Sequence, residues 1–191
     1  MAIDRESAWA LLTRWTEKDH LLKHALAVEA ALRAYARRFG EDEELWGITG
    51  LVHDLDYEQH PNREEHPYVG VKALQEAGYP EEVLQAVLGH APYTGVPRES
   101  RLAKALFAVD ELTGFIVAVA LVRPSRSILD VKVSSVTKKF KDRSFAAPVS
   151  REDIQEGAAD LGLEISEHVG MVLEAMQGIA GELGLEGVTA G

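Results

Sequence analysis

The stretch Glu41-Asp-Glu-Glu-Leu45-Trp-Gly-Ile48-Thr-Gly-Leu51-Val52-His53-Asp54 decides how this chain folds. Its apolar residues recur at helical spacing, and its acidic start suits the positive end of a helix dipole. The helix then runs straight into an imidazole beside a carboxylate. Burying that pair at the end of an apolar run is costly without a partner, and a divalent metal ion suits both groups. His53-Asp54 alone is too common to mean much. It gains meaning from His24, His66, His90 and Asp110, each on its own expected helix. Together the six residues are a set of nitrogen and oxygen ligands without sulfur.

Outward from this segment the pattern stays helical. Ser7 to Trp15 carries Ala, Leu and Trp at helical spacing. Asp19 can cap a second helix through Leu22, Ala25, Leu26, Val28, Leu32 and Tyr35, stopped by Gly40. Asp56 to Glu65 reads as a polar loop. Pro67 and Pro80 fit the first turns of two further helices, the first ended by Gly78 and the second reaching His90. Ser100 can cap a long helix from Arg101 to about Arg123, with Asp110 near its middle. Ser127 to Val136 fits either a short strand or a short helix. Ser150-Arg-Glu-Asp153 has capping-box spacing and opens another helix. Glu164 to Leu183 reads as a last amphipathic helix, with fraying expected from Glu186. No internal repeat or linker divides the chain. The expected architecture is therefore an all-α, single-domain helical bundle over residues 1–191.

Composition narrows the chemistry. At 191 residues and 46% hydrophobic content, the chain can bury a sizeable core without staples. It has no cysteine, which removes disulfides and thiolate metal sites. A cytoplasmic setting is consistent with that. The most apolar stretch, Phe115 to Val122, falls far short of the ~20 residues that span a bilayer, and the N-terminus lacks the pattern of a signal peptide. A formal charge of −11 argues against broad binding to a nucleic-acid duplex, but it leaves room for a small phosphorylated substrate.

Asp110 is the most telling single residue. It interrupts Leu106-Phe-Ala-Val109, where a carboxylate must be neutralised, hydrogen-bonded, ion-paired or metal-bound. Taken by itself it could pair with Arg101 or Lys104, or face solvent. Bland explanations would have to hold independently at all six positions, however, and that favours one metal centre built from facing helices.

His24, then His53-Asp54, then Asp110 resembles the ligand order of the HD-domain superfamily of metal-dependent phosphohydrolases. His66-Pro67-Tyr-Val-Gly70 is similar to the His-Pro-x-x-Gly motif of its two-metal branch, and Val87-Leu-Gly-His90 to that branch's next helix-terminal histidine. The resemblance covers roughly residues 20 to 123, with 124–185 as a C-terminal helical extension whose first part looks like that of small HDIG-type hydrolases. It implies that His24, His53, Asp54 and Asp110 hold one divalent metal, and that Asp54 bridges to a second held by His66 and His90. Fe, Mn, Mg, Ni and Zn all remain open. It further implies hydrolysis of a small-molecule phosphoester, nucleotide-like in class, by water activated between the metals, with Asp54 as the central catalytic residue. Two rival expectations are a diiron HD-fold oxygenase and a non-catalytic domain that senses a metal or nucleotide.

Departures limit the resemblance. Ala91 follows His90, where HD-GYP proteins have a second histidine. Gly78-Tyr79-Pro80 lies upstream of its place in that pattern, so a cyclic-di-GMP phosphodiesterase is not expected. Tyr57 stands where the one-metal nucleotidase branch has a glutamate, and neither Asp56 nor Glu58 can be carried over as general acid.

The cluster Lys138-Lys139-Phe-Lys141-Asp-Arg143 is the one basic cluster, and Lys138 and Lys139 are candidates for binding substrate phosphate. His20 reads as a solvated or outer group, His60 as an exposed loop residue and His168 as structural. Trp15, Tyr35, Phe39 and Trp46 read as core. Assembly as a homo-oligomer is left open.

Overall fold

A computed structural model describes residues 3–187; residues 188–191 of the expected frayed tail lie outside the described residues. The fold is all-α. Among the described residues there are nine α-helices in the order α1 (Arg5–Trp15), α2 (Asp19–Phe39), α3 (Glu43–Val52), α4 (Tyr68–Glu76), α5 (Glu81–His90), α6 (Arg101–Leu121), α7 (Val133–Phe140), α8 (Arg151–Asp160) and α9 (Ile165–Gln177). None is long and apolar enough to cross a membrane.

Local chemistry sets the helix boundaries. Asp4 and Ser7 form a reciprocal capping box that starts α1. The helix expected to start near Glu41 is capped by Asp42, which accepts from the Glu44 and Leu45 amides at 3.0 Å. Ser100 caps α6 through the Ala103 amide. Pro67 and Pro80 sit at N-cap positions, one residue earlier than expected, and Lys18 rather than Asp19 precedes α2. Ser150 caps α8 through the Asp153 amide, but its own amide donates to Glu111 across the bundle, so the box is not reciprocal.

The central element is α6. Leu102, Leu106, Val109, Leu112, Phe115, Ile116 and Val119 are all buried, leaving almost no solvent face. It is packed by α2, α5, α7, α8 and α9. Two close approaches define the bundle. A Cβ on Gly50 of α3 would lie 2.7 Å from the Glu29 amide nitrogen of α2, and a Cβ on Gly157 of α8 would lie 2.5 Å from Ala108 Cα of α6. Both glycines are there because backbone meets backbone.

The segment left open between strand and helix becomes a 3-10 turn at Ile128–Asp130 followed by α7. Its β character amounts to one isolated bridge, Ser127 to Glu186, because no partner strand is at hand among the described residues. The helix expected to reach Leu183 stops at Gln177. Gly178 and Gly181 weaken helix beyond it, and the chain folds back so that the Leu185 amide reaches the Ala180 carbonyl. The loop from Asp142 to Val149 wraps the buried Arg151, whose guanidinium donates to the carbonyls of Asp142, Phe145, Ala146 and Val149.

His168 is structural, as its apolar neighbours suggest. Its Nε2–H donates to the Ala108 carbonyl at 2.8 Å, and its Nδ1 accepts from the Tyr35 hydroxyl at 2.6 Å. The neutral ring satisfies both contacts. Burial pushes its pKa down to about 4, against the pull of the Ala108 hydrogen bond. The unfolded ring titrates near 6.5. Between those values the unfolded chain holds more protons, so stability falls as pH falls, by up to about 1.4 kcal/mol per unit. Urea unfolding at about pH 7.5 and about pH 5 reads this effect. His168→Gln is expected to have a smaller difference between the two pH values than the parent; equal differences would contradict the assignment.

Candidate metal centre

Five elements each deliver part of the site. His24 lies in the second turn of α2, and His53 caps the C-terminus of α3 with Asp54 in the turn that follows. His66 immediately precedes Pro67 and α4, His90 ends α5, and Asp110 sits midway along α6. The packing of α2 on α3 and α6, and of α5 on α6, brings these positions together.

Asp54 is central. Its Oδ2 lies 3.7 Å from His24 Nε2 and 3.5 Å from His53 Nε2, while its Oδ1 lies 3.5 Å from His66 Nε2 and 3.3 Å from His90 Nε2. The two carboxylate oxygens therefore face two different histidine pairs. Asp110 Oδ1 lies 3.0 Å from His24 Nε2 and 3.5 Å from His53 Nε2, on the Oδ2 side. Two ligand groups result that could each hold a metal ion: His24, His53 and Asp54, and Asp54, His66 and His90.

Each imidazole is oriented from behind. His53 Nδ1–H donates to the Gly50 carbonyl at 2.8 Å, and His90 Nδ1–H to the Val87 carbonyl. His66 Nδ1 lies 2.7 Å from Asp56 Oδ1, and His24 Nδ1 lies 3.4 Å from the Thr113 hydroxyl. With Nδ1 engaged outward, every Nε2 is turned to the centre, the arrangement that metal-binding histidines use. His53 Nε2 is buried and has no hydrogen-bond partner. Such an orphaned acceptor costs free energy unless something binds it, and a divalent cation fits the donor set.

The electrostatics agree. Burial opposes ionisation of Asp54, yet His53 and His90 hold its carboxyl well below the usual range. Burial likewise opposes ionisation of Asp110, which His24 and His53 overcome. Burial would lower the pKa of His90, but Asp54 carries it up to about 9. His53 and His90 thus attract protons into the place a cation would take, so metal uptake should release protons.

Asp56 is a residue of the site that its loop position hid. It is fully buried; besides His66, it accepts from the Gly70 amide at 2.6 Å. A Cβ on Gly70 would lie 3.0 Å from Asp56 Cγ. This explains why glycine follows His66-Pro67 at that spacing: the carboxylate that orients His66 fills the room of a side chain.

A cleft of about 350 Å³ opens over the cluster. His24, Asp54, His66, His90 and Asp110 form its base, and Tyr57, Tyr93, Phe107 and Val149 stand around it, with Glu111 and Asp153 also on the wall. Tyr57 packs edge-on to His66 with ring centroids 5.2 Å apart, and the Tyr93 hydroxyl donates to the His66 carbonyl. Burial pushes the Glu111 carboxyl up to about 7, with Asp110 adding to the effect. Glu111 and Tyr93 carry no periodic or motif signal that would mark them in sequence, while Asp153 reads there only as part of a capping box and Tyr57 only as a departure from the one-metal pattern.

Lys138 and Lys139 are not brought to this cleft. They line a separate groove beside Arg123, and among the described residues no lysine or arginine lines the metal cleft. Glu58 is also elsewhere, its carboxylate accepting from the Glu17 and Lys18 amides. His20 is exposed, and His60 is half-buried with Nδ1 3.0 Å from Glu65. Arg101, a candidate partner for Asp110, pairs with Glu41 instead. Tyr35, Phe39 and Trp46 pack together as core, while Trp15 packs near His60.

No curated protein and no solved structure matches the chain. Residues 21–114 match the family model described as HD domain, a span that begins before His24 and ends after Asp110. Residues 21–114 thus carry an HD domain, with their histidines and aspartates gathered as a metal centre requires.

Proposed function

We propose that this protein holds two divalent cations bridged by Asp54 and hydrolyses a phosphoester of a small, nucleotide-like molecule. The observation that carries this reading is the division of labour at Asp54, with Oδ2 toward His24 and His53 and Oδ1 toward His66 and His90. His24, His53, Asp54 and Asp110 would hold one cation; Asp54, His66 and His90 would hold the other. Bound there, a cation pair supplies Lewis-acid polarisation of the phosphoryl oxygens and lowers the pKa of an adjacent water.

The chain's own residues do the rest. Gly50, Val87, Asp56 and Thr113 fix the imidazole orientations. Among the described residues no lysine or arginine lines the cleft, Arg63 being stacked on Tyr93, so the site suits a substrate whose charge is met mainly by the metals. Tyr57 and Tyr93 offer partly exposed aromatic rings to a planar group, one face of Tyr93 being covered by the Arg63 guanidinium at 5.2 Å, and Glu111 and Asp153 offer acceptors for hydroxyl or amino groups.

Elemental analysis of purified protein, paired with a phosphoester panel, tests the reading. About two metals per chain with oxygen-independent phosphate release are expected. Near-zero metal after reconstitution, or turnover that consumes oxygen, would overturn it.

Asp56 gives a narrower test. Removing the carboxylate behind a metal-binding histidine costs about 10- to 100-fold in metal affinity. Asp56→Ala should therefore weaken the cation at His66 and His90 by about that factor and spare the other. Chelator competition followed by metal content reads this; two equally tight metals in the variant would remove the role given to Asp56.

A further inference from the structure

Away from the metal cleft, Arg123, Lys138, Lys139 and Ser135 line a groove of about 530 Å³, with Val119, Val122 and Pro124 as its apolar part. Arg123 lies just beyond α6, thirteen residues past Asp110. At 1.5 Å per residue that places it roughly 20 Å along the axis from Asp110, too far to touch a small substrate held there. The three cations converge in a chain whose formal charge is −11.

None of the three forms an ion pair among the described residues. Arg123 Nε is buried without a hydrogen-bond partner. Lys139 Nζ is held 4.6 Å from the Phe145 ring centroid, and that ring is itself fixed edge-on against Phe115. Asp142, the carboxylate at the groove's edge, is occupied locally: it accepts from the Ser144 hydroxyl and from the Ser144 and Phe145 amides. Like charges repel, and an unpartnered buried N–H is costly, so an anion is the ligand that answers both.

We propose that this groove is a second binding site, distinct from the metal cleft, for a small soluble anion bearing phosphate groups. Arg123 offers fork-shaped donors, Lys138 and Lys139 add point charges, and Ser135 can donate a hydroxyl hydrogen. The apolar part of the groove accommodates the organic body of a phosphorylated molecule.

Pyrophosphate is a direct probe, titrated calorimetrically at low salt into the full chain and into Asp54→Ala, which lacks the centre of the metal cleft. Saturable binding of one pyrophosphate per chain is expected in Asp54→Ala. Adding Lys138→Gln and Lys139→Gln should weaken it at least about tenfold. Lys138 is exposed, so Lys138→Gln alone keeps the test informative if a multiple variant folds poorly. Three results would overturn the proposal. The first is unchanged affinity in the lysine variants. The second is binding abolished by Asp54→Ala alone. The third is capture only by vesicles containing phosphatidic acid, with none of pyrophosphate, which would make the ligand a lipid surface.

Discussion

Asp54→Ala protein is expected to retain no tightly bound metal and to turn over phosphoesters at least about 10³-fold more slowly than the parent, the equivalent of several kcal/mol of transition-state stabilisation. Asp54 is the one side chain present in both ligand groups. Every Nε2 in the cluster except those of His24 and His53 has Asp54 as its only carboxylate neighbour within 4 Å on the cleft side. Removing it takes a ligand from each cation at once and leaves four imidazoles that repel cations when protonated. His66→Ala makes the contrast, because it should lose one cation and keep the other. Helicity should survive in both, since Asp54 follows α3 in a turn and is half-buried outside the apolar core. Metal analysis, circular dichroism and phosphate release read the three outcomes; an Asp54→Ala protein with full turnover would refute the central role.

Gly50→Ala is expected to lose about 3 kcal/mol of stability through a single methyl group, at the upper end of the cost of overpacking. The new Cβ would meet the Glu29 amide nitrogen at 2.7 Å, Glu29 Cα at 2.8 Å and the Val28 carbonyl carbon at 2.9 Å. These are backbone atoms of a helix, and they cannot swing aside as the end of a side chain can. Gly47 offers the comparison: the three atoms nearest a Cβ there all belong to the Arg33 guanidinium group, at 2.5 to 2.7 Å, the end of a side chain rather than backbone. Gly47→Ala should therefore cost much less. Because the Gly50 carbonyl orients His53, Gly50→Ala should also weaken metal binding. Urea midpoints rank the two variants, and equal stability would show that α2 and α3 separate easily.

The helices and the six central residues were legible because helical periodicity and ligand chemistry both leave marks in sequence. Apolar spacing placed the runs that became α2, α3, α5 and α6, and the intrusion of Asp110 into an apolar stretch marked it before any fold was known. Asp56 and Glu111 were not legible in the same way. Asp56 lies in a polar loop, where an acidic residue is ordinary, and only its contacts with His66 and the Gly70 amide distinguish it. Glu111 reads as a helix-surface residue until α8 closes over it and Ser150 donates to it. Arg151 likewise looks like one basic residue among several, yet four loop carbonyls depend on it. Lys138 and Lys139 were legible as a basic cluster but not in position, since their distance from the cleft is set by the length of α6. Loops and long-range pairs lack a repeating pattern, so sequence carries little trace of them.

That same α6 has a consequence for how the chain can vary. Asp110 meets the cleft, the Ala108 carbonyl receives His168, and Ala108 Cα abuts Gly157, all within three consecutive residues. Inserting or deleting one residue upstream in the helix would turn this triplet by about 100° relative to everything before it. Asp110 would leave the histidines, and the small residue facing Gly157 would be replaced by a larger one. A substitution on the helix acts at one place, whereas a change of count before Asp110 acts on every contact after it. Variation among chains built on this plan should therefore hardly change the number of residues between the start of α6 and Asp110.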